Sequence, residues 1–403
     1  MKILIVTQYF YPETFKSNDL AFELQKRGHD VTVLTGIPNY PEGKIYDGYS
    51  FFKKRKQKID GVEVIRALLL PRGGGGGIRL FLNYFSWAFF ASLKSIRLSY
   101  SKKFDAVIVH EPSPITQFYP ALMVKRIQKS PVYFWVMDLW PESLEIAGGV
   151  KNKFVLNFFT RMVQKFYNES EKILISSKGF KKSILEKGNY ENKIEYFPNW
   201  AEDTISSGNV DYPIPALPTG FKVMFAGNIG EAQDMESIMD AALKLKDSHS
   251  NIKFILVGDG RKMPFVQDFI KEHHLQETVH TLGRFPVEAM ATFFNAADIL
   301  LVSLKDDPIF NLTVPAKVQA YMSSGKPIMA MLNGEGSQNV KDADCGFAVP
   351  AGDGGKLAQA LKDAAQRDAE ELNRMGLNGK SFYEKNFKLE ECISNLEKII
   401  SRK

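Results

Sequence analysis

The sequence predicts an α/β protein with two domains, each built on a parallel β-sheet that helices cover on both faces. Its length of 403 residues exceeds what a single hydrophobic core usually holds. Short continuous apolar runs alternate with longer amphipathic runs, a pattern typical of buried parallel strands joined by helices. The alternation is interrupted once, at residues 199–220, and then resumes.

The apolar runs give the expected strands on either side of that interruption. Before it lie residues 2–7, 31–35, 62–66, 106–109, 132–137, 172–176 and 194–197, with helical patterns at about 17–28, 115–129, 152–168 and 178–188. After it lie residues 222–226, 252–258, 298–304, 327–331 and 346–350. Because residues 199–220 are rich in Ser, Gly and Pro, they predict a linker.

We therefore expect two Rossmann-like domains whose parallel sheets face each other across a cleft, with ligands bound at the carboxyl ends of the strands. The first domain is expected at residues 1–205, joined by a C-terminal helix at 386–403 that crosses back to it. Residues 206–385 are expected to form the second domain.

The two halves of the chain differ in charge. Residues 1–200 hold 30 Lys and Arg against 18 Asp and Glu, whereas the remainder holds 22 against 28. A basic half beside an acidic one suggests that one half faces an anionic surface or ligand. No nucleic-acid-binding motif is present, so anionic lipid is the favoured partner. Cys345 and Cys392 fit no metal or disulfide pattern, and the first residues lack the features of a signal peptide, so a reducing, cytosolic setting is expected.

The most apolar helical segment is residues 78–98, which polar residues interrupt too often to predict a membrane span. Basic residues surround it, five of them at 53–58 and others at both of its ends. One interpretation is a core helix beside a solvated basic loop. The other is a helix that lies in the membrane interface with its basic flank drawn to anionic lipid. Five glycines at 73–77 predict a loop that leads into this helix.

The second half places glycine turns and charged side chains at strand ends. Gly227 and Gly230 follow a strand and permit a tight turn, whose N–H groups could hold a diphosphate or could serve packing alone. Arg284 follows another strand end. Residues 311–330 predict a helix that runs into a Gly-Lys-Pro turn and a buried strand, and this helix offers Lys317 and Gln319.

Taken in order, FAGNIG, ILVGDG, LGR, AADILLVSL and PAKVQAYMSSGKPI resemble the second domain of the family 4 retaining glycosyltransferases, which have the GT-B fold. HEPSP (110–114) and DLWPES (138–143) extend the resemblance over nearly the whole chain, and DLWPES is typical of a branch found in bacterial O-antigen and capsule gene clusters. At closer range QYFYPETFKSNDLAFEL (8–24) and FWVMDLWPES are similar to the L-fucosamine transferases of that branch.

This resemblance implies a reaction and a setting. N-acetyl-L-fucosamine, or another N-acetylated hexosamine, would move from a UDP-sugar to a polyprenyl-diphosphate-linked saccharide. The enzyme would be cytoplasmic and peripheral on the inner face of a bacterial cytoplasmic membrane.

The chain departs from the family where the nucleotide is usually held. Two Glu that the family often carries, and its Arg and Lys for the diphosphate, align with neutral residues: Leu312, Ala320, Asn228 and Gln233. Two phosphates without nearby positive charge would be costly to desolvate, so Lys317 and Arg284 are expected to supply it. Gln319 or backbone groups are expected to hold the ribose hydroxyls. Gly227, Asn228, Gly230 and Gln233 complete the expected nucleotide site.

The first half offers carboxylates at strand ends. Asp138 follows the strand at 132–137, and His110 and Glu111 end the preceding strand and should lie close to it. Asp138 and Glu111 are expected to position the acceptor hydroxyl or to assist its deprotonation, so removing either should lower turnover much more than UDP binding. Three further residues are expected to contact the acceptor along with His110, namely Asn18, Trp140 and Glu142. For Asn18, with its neighbours Ser17 and Asp19, N-capping of a helix is the alternative.

Retaining transfer needs a leaving UDP held by positive charges and dipoles, with the acceptor hydroxyl delivered on the same face. The leaving phosphate can itself take the acceptor proton, so no protein nucleophile, metal or other cofactor is expected. The Asp-Ala-Asp at 342–344 is interpreted as a chance match to a metal motif. Two other classes stay open, a sugar-nucleotide epimerase of the same fold and a non-catalytic lipid-surface protein.

Overall fold

The computed structural model describes residues 1–74, 76–146, 149–202, 205 and 212–402. The chain divides into two compact units, Met1–Pro198 with Ile393–Lys403, and Asn199–Cys392. Of the expected domain junction at 205–206, residue 206 lies outside the described ranges, as does part of the expected linker.

The first unit is built on an eight-stranded sheet with the order β3-β4-β2-β1-β5-β6-β7-β8. Its strands are β1 Lys2–Val6, β2 Asp30–Thr35, β3 Lys56–Ile59, β4 Val62–Arg66, β5 Ala106–Glu111, β6 Val132–Val136, β7 Lys172–Ile175 and β8 Ile194–Tyr196. Its helices are α1 Lys16–Lys26, α2 Gly77–Ser101, α3 Phe118–Gln128, α4 Glu142–Ile146, α5 Lys153–Glu169 and α6 Phe180–Glu186. All neighbouring strands are parallel except β3 and β4, which are antiparallel.

The second unit is built on a six-stranded parallel sheet with the order β11-β10-β9-β12-β13-β14. Its strands are β9 Phe221–Ala226, β10 Ile252–Val257, β11 Val279–Gly283, β12 Ile299–Ser303, β13 Ile328–Met331 and β14 Gly346–Val349. Its helices are α7 Met235–Leu245, α8 Met263–Glu272, α9 Met290–Ala296, α10 Pro308–Asn311, α11 Ala316–Ser324, α12 Gly334–Asp342, α13 Gly354–Ala365 and α14 Ala369–Asn386. Fully buried apolar side chains on β9, β10 and β12 form its core. The predicted pair of parallel α/β sheets is thus confirmed.

The basic segment at 53–58 is not wholly a loop, and this corrects the expectation for it. Residues Lys56–Ile59 form the edge strand β3, joined to β4 by Asp60 and Gly61. Both turn residues have positive φ, 45° and 87°, and Asp-Gly is a strong hairpin signal because these two residues tolerate that conformation. The guanidinium of buried Arg66 fixes the hairpin by donating to Gln57 Oε1 over 2.7 Å.

Helix α2 is longer than predicted and presents two different faces. Its inward face buries Trp87 and Ala91, and beyond them the small polar side chains Asn83, Ser95 and Ser99. Its outward face exposes Ile78 by 80%, Phe89 by 60% and Leu93 by 51%. Among the described helices, none is both long enough and apolar enough to cross a bilayer.

The last helix, α15 (Leu389–Ser401), ends on the first unit. The Glu397 carboxylate accepts hydrogen bonds from Arg27 over 2.9 Å and from His29 over 2.8 Å. Tyr133 Oη on β6 donates to the Ile400 carbonyl oxygen over 3.3 Å. Polar contacts therefore join helix α15 to the residues that follow α1 and to strand β6.

Candidate active site

In the second unit, two glycine turns meet at the carboxyl edge of the sheet. Gly227 follows β9 with φ +128°, and Gly258 follows β10 with φ +138°. A Cβ at Gly258 would lie 1.9 Å from the Gly227 carbonyl oxygen, so glycine is required for this backbone contact. A cavity of about 330 Å³ opens there, lined by both glycines, Asn228, Val257, Asp259, Arg284, Phe285 and Met290. Three of the predicted nucleotide residues, Gly227, Asn228 and Arg284, thus share one cavity.

The loop after β9 is closed by neutral amides. Gln233 Oε1 accepts from the Gly230 N–H over 3.1 Å and from Asn228 Nδ2 over 3.5 Å. Gly230 and Gln233 therefore shape the loop that carries Asn228, although neither lines the cavity. Asn228 and Gln233 stand where the family resemblance places an Arg and a Lys, and here their side chains stabilise the backbone of this loop.

Lys317, in the first turn of α11, is packed beneath this loop. Its Nζ lies 3.4 Å from the centroid of the Phe225 ring, and a Cβ on Gly227 would stand 2.7 Å from its Cε. The Nζ atom is buried and has no hydrogen-bond partner within the described part of the chain. Burial lowers the pKa of Lys317 to about 7, since an ammonium without an anion is poorly solvated there. An anionic ligand beside Gly227 would supply the missing partner.

Gln319 does not share the site with Lys317, although the sequence put both there. An α-helix turns 100° per residue, so side chains two positions apart point about 200° away from each other. Gln319 is buried and does not line the cavity, and its Oε1 lacks a hydrogen-bond partner among the described residues. Lys317 does not line the cavity either, and Gln319 as a group for the ribose hydroxyls stays a prediction.

Arg284 reaches the cavity from β11 and is largely exposed. Its side chain is 77% exposed, and its Nε lies 3.1 Å from the Asp259 carboxylate. Sequence reasoning missed Asp259, although it lies two residues beyond the end of β10 and so obeys the same strand-end rule that pointed to Asp138.

Two more cations that the sequence reasoning missed flank the loop after β9. Lys262 pairs with Glu236 over 2.6 Å and with Glu231 over 3.3 Å. Lys305 donates its backbone N–H to Ala232, and its Nζ lies 3.9 Å from Glu231. Lys305 lies two residues beyond the end of β12, so its position was also readable as a strand end. Both lysines are neutralised by carboxylates, unlike Lys317.

In the first unit, two carboxyl groups lie together at the carboxyl ends of β5 and β6, as predicted. Glu111 ends β5, and its carbonyl oxygen accepts from the Met137 N–H over 3.1 Å. Glu111 Oε1 accepts from the Ser113 N–H over 3.1 Å, and its buried Oε2 has no hydrogen-bond partner within the described ranges. Asp138 accepts hydrogen bonds from the Ser143 hydroxyl and the Ser113 side chain.

The surroundings of the two carboxyl groups raise the pKa of Glu111 more than that of Asp138. Burial, and then the negative charge of Asp138, raise the pKa of Glu111 well above its usual range. Burial also raises the pKa of Asp138, but hydrogen bonds from Ser143, the Leu139 N–H and Ser113 act against it. Fewer bonds reach Glu111, so of the two carboxyl groups Glu111 has the stronger tendency to hold a proton and Asp138 the stronger tendency to carry the negative charge.

The other predicted acceptor residues have structural partners. His110 is buried against the Trp135 ring, and burial lowers its pKa to about 3, so it is neutral near pH 7. Trp140 is buried with its ring 5.1 Å from that of Phe159. Glu142 accepts from Lys187 over 2.5 Å and from Ser183 over 2.6 Å. Burial opposes ionisation of Glu142, but Lys187 and Ser183 lower its pKa overall.

Asn18 is not an N-cap, which corrects that alternative. Phe15 occupies the N-cap position of α1, without a side-chain hydrogen bond. Asn18 Oδ1 accepts from the Tyr11 N–H over 3.2 Å, and its Nδ2 donates to the Glu13 carbonyl oxygen over 2.7 Å. Buried Glu13 in turn accepts from the N–H groups of Asn39 and Tyr40, each over 2.7 Å. Asn18 thus shapes the loop at 11–13.

A tyrosine on α2 was missed as a neighbour of the carboxyl pair. Burial raises the pKa of Tyr84, and the charge of Asp138 contributes to that rise, which places the two side chains near each other. Tyr84 is hydrogen-bonded to Tyr9, and the charge of Arg72 acts in the opposite direction. Tyr84 and Asp138 come near each other only through tertiary packing, for which the sequence carries no local signal.

Comparison with known proteins identifies the family. Residues 17–200 match the description "Glycosyl transferase 4-like domain", and residues 220–367 match "Glycosyl transferases group 1". The chain belongs to the glycosyltransferases. Together the two matches cover most of the chain and fall one on each side of the unit boundary.

Two bacterial proteins and one solved structure illustrate the likeness. WbjE of Pseudomonas aeruginosa, provisionally named as a glycosyltransferase, is 27% identical over 59% of this chain and 61% of its own length. WcaI of Escherichia coli K12, provisionally assigned to colanic acid biosynthesis, is 24% identical over 64% of this chain and 66% of its own. The chain thus spans somewhat less than two thirds of these relatives. HepE of Anabaena, solved with UDP and glucose, is 14% identical and aligns over 100% of both chains with a TM-score of 0.66, which shows a shared fold.

Proposed function

We propose that this glycosyltransferase moves a sugar from a UDP-sugar to a polyprenyl-diphosphate-linked saccharide during assembly of a bacterial surface polysaccharide, with retention of the anomeric configuration. N-acetyl-L-fucosamine, or another N-acetylated hexosamine, is the proposed sugar. The observation that carries the proposal is the cavity at Gly227, where a buried lysine without an anionic partner lies beneath a glycine turn.

The second unit is the proposed donor-binding unit. A diphosphate beside Gly227 would pair with the Lys317 ammonium, so binding would restore the proton whose presence burial disfavours. Arg284 is placed to contact the nucleotide from the cavity rim. That HepE, which has the same fold, was solved with UDP supports a uridine nucleotide as the ligand.

The first unit is the proposed acceptor-binding unit. Ionised Asp138 accepts a hydrogen bond from the attacking hydroxyl, and protonated Glu111 donates to a neighbouring acceptor oxygen. The acceptor oxygen forms the new bond to the anomeric carbon while the bond to UDP breaks on the same face. The hydroxyl proton passes to the leaving phosphate oxygen, so UDP and the glycoside are the products. This proposed step uses no metal ion or other cofactor.

The proposed setting is the cytoplasmic side of the cytoplasmic membrane. The exposed apolar face of α2 and the basic residues at 53–58 are suited to contact with an anionic lipid surface, where a lipid-linked acceptor resides. This docking is proposed to be peripheral. We expect the protein to sediment with vesicles that contain anionic lipid. High salt should abolish this association.

One experiment tests the reaction. The protein is incubated with a panel of UDP- and dTDP-sugars and a short polyprenyl-diphosphate-GlcNAc analogue, with and without EDTA, and the products are weighed by mass spectrometry. We expect an acceptor heavier by one hexosamine-type residue from a UDP-sugar, unchanged by EDTA. A new sugar nucleotide formed without acceptor would favour an epimerase instead, and UDP binding without any product would favour a non-catalytic role.

A further inference from the structure

A second cavity, of about 660 Å³, lies in the first unit where the loop at 42–44 meets the start of α2. Its wall is fixed by a backbone contact: the Gly73 N–H donates to the Gly43 carbonyl oxygen over 3.1 Å. Gly43 has φ +75°, and a Cβ there would lie 1.8 Å from the Gly73 oxygen. The two loops can touch in this way only with glycine at position 43. We name this space the α2 cavity.

Two cations line the α2 cavity, Lys44 and Arg79. The Arg79 guanidinium lies against Gly73, since a Cβ on that glycine would be 2.3 Å from its Nη1. Within the described residues, neither Lys44 nor Arg79 has an ion pair or a side-chain hydrogen bond. Glu42 contributes one carboxylate to the rim. The cavity therefore carries an excess of positive charge that its own walls do not neutralise.

The same cavity is continuous with apolar surface. Leu70 and Leu82 line it and are 49% and 46% exposed. Beyond Leu82 the outward face of α2 continues the apolar surface with Phe89 and Leu93. A ligand that joins an anionic group to a long hydrocarbon chain fits this arrangement, because each part meets surface of its own kind.

Helix α2 carries both a cavity residue, Arg79, and Tyr84, on which the charge of Asp138 acts. Tyr84 follows Arg79 by five residues, a rise of about 7.5 Å along the helix. Arg72 lies between the cavity residues Pro71 and Gly73, and its charge also acts on Tyr84.

We infer that the α2 cavity binds the diphosphate of the lipid-linked acceptor through Lys44 and Arg79, with the polyprenyl chain along the apolar face of α2. This inference rests on the proposed function, because it takes a polyprenyl diphosphate to be the acceptor. It adds the residues that hold the diphosphate, which are distinct from those that hold the nucleotide.

The test measures the binding of farnesyl diphosphate by calorimetry, with inorganic diphosphate, farnesol and UDP as companion ligands. In the double variant Lys44→Ala/Arg79→Ala we expect farnesyl diphosphate to bind at least about thirtyfold more weakly, because two charged hydrogen-bond donors are lost. The variant Glu42→Gln should bind it more tightly, by about threefold, because a repulsive charge is removed. UDP should bind the double variant as it binds the wild type.

A matched control removes the same charge elsewhere in the unit. Lys26 ends α1 and exposed Lys103 follows the far end of α2, about 35 Å along the helix from Arg79. Lys26→Ala/Lys103→Ala should leave the affinity for farnesyl diphosphate within twofold. Equal affinity of the wild type and the Lys44/Arg79 variant, or no binding to the wild type, would overturn the inference. So would inorganic diphosphate binding as tightly as farnesyl diphosphate, since the site would then take a free phosphate.

Turnover separates this inference from the proposed function. If sugar is transferred to the lipid-linked acceptor but the acceptor KM is unchanged in the Lys44/Arg79 variant, the site is wrong and the reaction stands. If no sugar is transferred by the wild type but the binding results hold, the reaction is wrong and the site stands.

Discussion

The two units bury ionisable groups of opposite charge near the carboxyl edges of their sheets. In the first unit, Glu111 and Asp138 lie at the carboxyl ends of β5 and β6, and burial raises the pKa of both. In the second, Lys317 lies beneath the turn after β9, and burial lowers its pKa to about 7. The carboxyl pair already has hydrogen bonds from hydroxyl and N–H groups, whereas among the described residues Lys317 Nζ has an aromatic ring face and no hydrogen-bond partner. The first unit is thus suited to bind hydroxyl groups and the second to bind an anion.

The largest effect is expected from Asp138→Asn in the first unit. It keeps the shape but removes the anionic acceptor for the attacking hydroxyl, so kcat should fall about 100-fold or more. Steady-state kinetics with the lipid-linked acceptor measures it. Glu111→Gln is the matched control, because Glu111 is already protonated, and it should lower kcat by less than about threefold. Equal losses in both variants would contradict the assigned protonation states.

Lys317→Met should weaken UDP binding at least about tenfold, since the diphosphate loses its charged donor. Calorimetry with UDP measures the change. Lys326→Met is the control: Lys326 follows the same helix, is half-buried and donates to the Ala297 carbonyl oxygen over 2.9 Å. It should alter stability but leave the UDP affinity within twofold. Unchanged UDP binding in Lys317→Met would remove Lys317 from the site.

The affinity for UDP should also depend on pH through Lys317. Its pKa of about 7 in the free protein rises when a diphosphate binds, so a proton is taken up on binding. Affinity should therefore fall as pH rises above about 7, by up to about tenfold per pH unit, and flatten in Lys317→Met. Calorimetry in two buffers with different ionisation enthalpies gives the number of protons taken up. No uptake near pH 8 would mean that Lys317 is charged already or does not meet the diphosphate.

Arg284→Ala should have a smaller effect, about a threefold loss of UDP affinity. The side chain is 77% exposed and paired with Asp259, so solvent screens most of its charge. The same calorimetric titration detects it. A loss as large as that of Lys317→Met would show that Arg284 closes over the nucleotide.

The smallest expected effect is on stability. The pKa of Glu111 is raised by folding, so the stability that it contributes is complete below about pH 4.5 and is lost as pH rises through its folded pKa. Glu111→Gln cannot lose this contribution, so its advantage over the wild type should grow with pH, to on the order of 1 kcal/mol. Thermal unfolding at several pH values measures the difference. An advantage that does not grow with pH would place the proton elsewhere.

The strand alternation predicted the sheets except for the edge strands β3 and β11, and it predicted the meeting of Glu111 with Asp138. Strand ends in a parallel sheet lie on one edge, so sequence position there translates into proximity. It also led to Gly227 and Arg284, which share a cavity with Asn228, a residue that the family resemblance had pointed to. The same rule would have found Asp259, had it been applied to every strand.

The misses have physical reasons. Gln319 was predicted to hold the ribose hydroxyls in place of the Glu that the family carries at position 320. Because of the helical rotation, its side chain points away from that of Lys317. Asn18 was a plausible cap, but packing starts α1 at Lys16 and uses the Asn18 side chain in a loop. Tyr84 depends on a contact between residues far apart in the chain, which only tertiary structure reveals. Periodicity thus predicts elements and edges, whereas side-chain direction has to come from the fold.

The division of labour between the two units is the central claim, and one measurement tests it most directly. UDP is titrated calorimetrically into the wild type, Asp138→Asn and Lys317→Met under identical conditions. We expect Asp138→Asn to bind UDP within twofold of the wild type and Lys317→Met to bind it at least about tenfold more weakly. Weakened UDP binding in Asp138→Asn, together with wild-type binding in Lys317→Met, would contradict it.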